Sequence, residues 1–107
     1  MKKSTINLTV ELDDQNIPDK LYWDATDKAG NGPSSTHAIG LSIWDNDTKE
    51  TLRIDLYGKE TPVDVMKLMT IDTIAAMSQN ILKATGDEKM AAEMSAFCEN
   101  LVKYIGK

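Results

Sequence analysis

The sequence predicts an α+β fold: a four-stranded antiparallel sheet made of two hairpins, with one face covered by a C-terminal antiparallel helical hairpin, in the order ββββαα. Three observations carry this. Apolar residues alternate at period two up to Tyr57 and recur at helical spacing after Pro62. The two regimes do not interleave, and a run of strands followed by a run of helices marks the α+β class. A chain of 107 residues also buries roughly 60–70% of its unfolded surface around one core, so a single domain over 1–107 is expected.

Each element has its own signal. Ile6, Leu8, Val10 and Leu12 alternate strictly with Asn7, Thr9 and Glu11, which places a half-buried strand at 4–12. The turn cluster Asp13–Asn16 and Pro18 follow, and Leu21 and Trp23 then alternate with Lys20, Tyr22 and Asp24 in a second strand at 20–25. Residues 26–36, small and polar with Gly30, Gly32 and Pro33, read as a loop. Strand three at 37–45 carries Ile39, Leu41 and Ile43, and strand four at 51–57 carries Leu52, Ile54 and Leu56. Matching these sets pairs Ile43 with Leu52, Leu41 with Ile54 and Ile39 with Leu56, because a one-residue slip would turn one set to water. That register leaves Asn46–Lys49 as a four-residue hairpin loop. Thr61-Pro62-Val63-Asp64 supplies an N-cap, a proline at the first helical position and an early acid for a helix at 62–85. Asp87 caps a second helix at 87–105, with Met90, Met94, Phe97, Leu101 and Tyr104/Ile105 along one face.

Charge and targeting narrow the function. The chain has 12 Lys+Arg against 17 Asp+Glu, a formal charge of -5, and Arg53 is its one arginine. The basic footprint of a nucleic-acid reader is missing, so no nucleic-acid partner is expected. Met1-Lys2-Lys3 has the charge of a signal-peptide start, yet the alternation from Ile6 to Leu12 supplies no apolar core for one. No stretch approaches 18 apolar residues, and the single Cys98 cannot form an internal disulfide. The expected location is the cytoplasm, without membrane insertion.

Catalytic chemistry finds little to build on. The lone histidine, His37, stands beside Ser34-Ser35-Thr36, but no nucleophile motif surrounds it, and a strand-edge histidine accounts for it better. Cys98 falls on the apolar side of the second helix and reads as a small core residue. Asp45-Asn46-Asp47 opens like a calcium loop, but Glu50 and Leu56 stand where glycine and glutamate are required. One His and one Cys make no transition-metal set, and Gly58-Lys59-Glu60-Thr61 lacks the upstream glycine of a phosphate loop. No catalytic residue, metal or cofactor is expected, and the protein is read as not an enzyme.

Binding is the remaining chemistry. Strand parity sends Trp44, Arg53 and Tyr57 to the sheet face away from the helices, and Tyr22 likewise, which makes these four the expected protein-interaction surface. Trp44 and Tyr57 lie at opposite ends of the hairpin, about 20 Å apart at ~3.4 Å per residue. A competing explanation for Trp44 is local packing on diagonal Arg53. Met66, Met69, Met77, Met90 and Met94 give the helices an adaptable stripe, more readily explained as core filling.

The residues also resemble a family. Thr9-Val10-Glu11-Leu12-Asp13 with Pro18 and Trp23, Leu41-Ser42-Ile43-Trp44-Asp45, Glu50-Thr51-Leu52-Arg53-Ile54-Asp55-Leu56, Pro62-Val63-Asp64 with Met66-Lys67, and Ala84-Thr85-Gly86-Asp87-Glu88-Lys89-Met90 are together similar to the gliding motility-associated protein C family of Bacteroidetes-type bacteria. The match runs in order through nearly the whole chain, with the segment 26–37 outside it. The resemblance implies a small soluble protein that supports gliding and its associated secretion machinery, and it brings no catalytic residue. The leading expectation is a non-enzymatic accessory protein that binds another protein of that apparatus, with a homo-oligomer also open. The alternatives are an export chaperone of the SecB type that binds extended polypeptides, by fold analogy alone, and a small-ligand binder or minor enzyme built around a closed pocket at His37.

Overall fold

The computed structural model describes residues 2–106, in two compact units, one ending at Thr61 and the other beginning at Pro62. The first unit holds β1 (Ile6–Leu12), β2 (Pro18–Ala25), β3 (Ser34–Thr36), β4 (Ala38–Asp45) and β5 (Glu50–Tyr57). The second holds α1 (Val63–Thr85) and α2 (Glu88–Ile105). The α+β class and the order of strands before helices stand.

The single four-stranded sheet does not. The strands form a three-stranded sheet, β1-β2-β3, and a separate two-stranded ribbon, β4-β5. The cause lies in the segment expected to be a loop. Ser34–Thr36 pairs antiparallel with Leu21–Trp23, which occupies the edge of β2 that a four-stranded sheet would offer to β4. The loop before β3 is pinned by Lys28, whose side chain is nearly buried. Its ammonium donates to the Gly32 carbonyl, lies 3.9 Å from an Asp24 carboxylate oxygen and sits 5.3 Å from the Trp23 ring centroid.

Within each hairpin the apolar alternation sets the register. Ile43 pairs with Leu52, Leu41 with Ile54 and Ile39 with Leu56, and Leu8 and Val10 lie opposite Trp23 and Leu21. The loop between β4 and β5 closes on Asp45, whose carboxylate accepts from the backbone N–H of Asp47 and Thr48. The loop between β1 and β2 closes likewise on Asp13, which accepts from Gln15 and Ile17.

The core of this unit centres on Leu21, 1% exposed, with Ile39 also buried. Gly58 N–H donates to the His37 carbonyl, continuing the ladder of the ribbon, and Lys59 N–H donates to the Pro18 carbonyl, which ties the end of β5 to β2 through backbone. Gly58 permits this approach, since a Cβ there would stand 3.0 Å from the Asp19 carbonyl oxygen. Burial fades along the ribbon. Ile39 is buried and Leu41 and Leu56 half-buried, but Ile43, Leu52 and Ile54 are 40–54% exposed. The inward set expected to form one core is therefore core only at its base, because a ribbon without further strands buries its apolar face only where the neighbouring sheet reaches it.

In the second unit α1 begins at Pro62, which serves as N-cap without a side-chain hydrogen bond. Thr61, expected in that role, instead donates its hydroxyl to the His37 carbonyl at 2.8 Å. Gly86 ends α1 in the left-handed region at φ 74°, and Asp87 caps α2 by accepting from Met90 N–H at 2.9 Å. The helices are antiparallel neighbours: Ser78 meets Ala91, and Ile71 meets Cys98. Their seam differs from the expected one. The buried residues are Ile71 and Ser78 on α1 and Ala91 and Cys98 on α2, while Met90, Phe97, Tyr104 and Met77 are exposed. Met66, Met69, Ile74, Ile81, Met94 and Leu101 of the expected stripe stay half-buried beside the seam, and small side chains at its centre let the backbones approach. Ser78 then satisfies its hydroxyl by donating to the Ala91 carbonyl at 2.8 Å and by a 3.0 Å contact with the Ser95 hydroxyl. No helix among the described residues is long and apolar enough to cross a membrane.

Candidate functional site

The β4–β5 ribbon places Trp44, Arg53 and Tyr57 on one face, at the pairs Trp44↔Thr51, Ser42↔Arg53 and Ala38↔Tyr57. Tyr22 is not on this surface. It lies in β2, opposite Thr9 and Ser35 in the other sheet, with its hydroxyl 3.4 Å from a Glu11 carboxylate oxygen.

Arg53 bonds to neighbours on its own face. Its guanidinium donates to Asp55 at 2.7 and 3.1 Å and to the Ser42 hydroxyl at 2.8 Å. It spans the open space over Gly40, where a Cβ would collide with it. The ion pair holds the Asp55 carboxyl below its usual range, chiefly through the hydrogen bond from Arg53, and raises Arg53 in turn. The guanidinium is thus not the partner of Trp44. Among the described residues the cation–aromatic contact is that of Lys28 with Trp23. Trp44, 57% exposed, stands at the ribbon tip with the apolar side chains of Ile43 and Leu52 exposed on the opposite face. An aromatic side chain and an aliphatic pair thus project from opposite faces of the ribbon tip.

His37 borders an open hollow of about 640 Å³ lined also by Asp19, Lys20, Leu21, Tyr22, Ser35, Thr36 and Glu60. Its carbonyl accepts from Gly58 N–H and from the Thr61 hydroxyl, so the residue's backbone is used to join the strands to the start of the helical unit's sequence. The Thr36 hydroxyl donates to the Ala38 carbonyl. The hollow is not the closed pocket with convergent polar groups that small-ligand chemistry calls for. Among the described residues no three His, Cys, Asp or Glu side chains come together in a way that could hold a metal ion. Cys98 is buried in the helical seam, its thiol 3.8 Å from the Ile71 carbonyl oxygen.

Two features escaped the sequence reading. The Lys28 anchor was signalled only by a lysine five residues after a tryptophan, a spacing with no meaning until the chain turns back at Gly30 and Gly32. The second is the edge strand β1, on which Ile6, Leu8 and Leu12 are exposed. Its alternation was visible, but its place at the edge of a sheet was not.

A model of the gliding motility-associated protein GldC-like family matches residues 18–107. No curated protein and no solved structure gives a match. The family match covers β2 to the end of α2, both the ribbon carrying Trp44 and the whole helical pair, and on that extent the chain belongs to the gliding motility-associated protein GldC-like family.

Proposed function

We propose that this protein is a non-enzymatic accessory factor of gliding motility and its associated secretion machinery, acting in the cytoplasm by binding another protein of that apparatus through the tip of the β4–β5 ribbon. One observation carries the reading: Trp44 is exposed while the arginine beside it is bound to Asp55 and Ser42, so no local contact of Arg53 explains a tryptophan at this position. Tryptophan is among the residue types most enriched at binding hot spots, where truncation commonly costs about 2 kcal/mol or more, or about 30-fold in affinity at ~1.4 kcal/mol per tenfold. Trp44→Ala should lower the melting transition only modestly, because more than half of the residue is exposed. In a gliding strain carrying only the variant, colony spreading should fall, and capture of the protein's partner from that strain should weaken by the same order. A variant that spreads normally and captures the same proteins in the same amounts would refute the reading.

A further inference from the structure

We propose that Asn31 is a self-modification site: the Gly32 backbone nitrogen attacks the Asn31 side-chain amide, and the aspartyl or isoaspartyl residue that results frees the loop from Lys28. The inference is independent of the proposed gliding role.

The chemistry is an acyl transfer within the chain. The Gly32 N–H gives its proton to hydroxide, and the nitrogen then attacks Cγ of Asn31. The bond from Cγ to the side-chain nitrogen breaks, and that nitrogen takes a proton from water and leaves as ammonia. A succinimide ring remains, which water opens. Addition of water at Cγ restores the main chain with aspartate at position 31. Addition at the Asn31 backbone carbonyl carbon routes the main chain through Cγ and leaves isoaspartate. Water and hydroxide are the co-reactants. The demands on the protein are a backbone nitrogen free of other bonds, held beside the amide, and no side chain crowding it.

Of the six asparagines in the chain, the fold leaves these conditions to one. Behind Asn16 and Asn46, the N–H groups of Ile17 and Asp47 are held by the carboxylates of Asp13 and Asp45. Asn80 and Asn100 lie inside α1 and α2, where the following N–H belongs to the helical ladder. Asn7 lies in β1, opposite Asp24, and is followed by a leucine whose side chain crowds the nitrogen. Asn31 is exposed in the irregular segment before β3. Among the described residues neither its amide nor the Gly32 N–H has a hydrogen-bond partner. Gly32, at φ 81° and with nothing within 4 Å of where a Cβ would stand, leaves the approach open.

The products act on the contact that anchors this loop. Lys28 donates to the Gly32 carbonyl and lies 3.9 Å from an Asp24 carboxylate oxygen. Either product places a new carboxylate next to Gly32, where it competes for the Lys28 ammonium. Isoaspartate also lengthens the main chain between Lys28 and Gly32 by one C–C bond, about 1.5 Å, enough to carry the Gly32 carbonyl out of hydrogen-bond range.

The test ages the full chain at mildly alkaline pH and follows isoaspartate with an isoaspartyl methyltransferase and peptide mass spectrometry. Asn31 should convert ahead of the other asparagines. Raising the pH by one unit should speed the conversion about tenfold, because the anionic fraction of a weakly acidic N–H grows by that factor. Asn31→Gln, which would have to close a larger ring, should lose the isoaspartate signal and keep the circular dichroism of the unsubstituted chain. The isoaspartyl form, separated by anion exchange on its added charge, should be cut by protease between 29 and 33 several-fold faster than the fresh chain. Conversion at Asn31 no faster than at Asn7 or Asn46, or an isoaspartate signal that persists in Asn31→Gln, would overturn the site. An isoaspartyl form cut no faster than the fresh chain would overturn the release from Lys28.

Discussion

Ser78 tests whether the helical pair is held by close approach. It is 3% exposed, and its hydroxyl donates to the Ala91 carbonyl at 2.8 Å and lies 3.0 Å from the Ser95 hydroxyl. Ser78→Ala removes both contacts but orphans nothing. The Ala91 carbonyl keeps its place in the helical ladder of α2, and Ser95 is exposed, so water replaces what it loses. The cost is then that of one net hydrogen bond, about 1 kcal/mol, or roughly fivefold in the unfolding constant. Ser78→Leu loses the same bond and adds volume where the facing residues are Ala91 and Ser95. The helices must separate, and overpacking adds about 1–3 kcal/mol. Urea unfolding followed by far-UV circular dichroism should rank the unsubstituted protein above Ser78→Ala and Ser78→Leu last. A leucine variant as stable as the alanine variant would mean that the seam has room and that small side chains are not what brings the helices together.

Two glycines separate a tight backbone contact from a yielding one. Gly58→Ala should cost about 1–3 kcal/mol because its Cβ meets the Asp19 carbonyl, whereas Gly40→Ala displaces only the end of Arg53 and should cost under about 1 kcal/mol; denaturation midpoints in the reverse order would refute this. Lys28→Met keeps the aliphatic stem but loses the bonds to Gly32 and Asp24, so limited proteolysis between 29 and 33 should become several-fold faster. Asp13, Asp45 and Asp55 titrate below their ordinary value of 3.8. For Asp13 the cause is the backbone N–H bonds from Ile17 and Gln15, for Asp45 those from Asp47 and Thr48, and for Asp55 the Arg53 side chain. A lowered folded-state value stabilises above the unfolded value and is lost as pH falls through the folded one. Stability should therefore hold above pH 4 and drop below it, with a shallower drop in Asp13→Asn; an unchanged slope in that variant would remove Asp13 from the account.

Whatever depends on neighbours along the chain is legible in the residue order. Alternation assigned the long strands, the match of Ile39, Leu41 and Ile43 to Leu56, Ile54 and Leu52 set the ribbon register, and Asp87 and Gly86 marked the helix boundary, because these signals act within one hairpin or one helical turn. Trp44, Arg53 and Tyr57 came to one face for the same reason. Which edges meet is a property of the folded chain. Ser34–Thr36 carries no strand signal of its own and became β3 because β2 had an open edge and Lys28 folded the loop back toward it. That pairing divided one expected sheet into two, left Tyr22 apart from Trp44, and exposed the outer half of the ribbon. The helical seam shows the same division. The amphipathic pattern located both helices, but the choice of Ser78, Ala91 and Cys98 for the centre of the seam depends on how closely two backbones can approach, a property of the pair that neither helix carries alone.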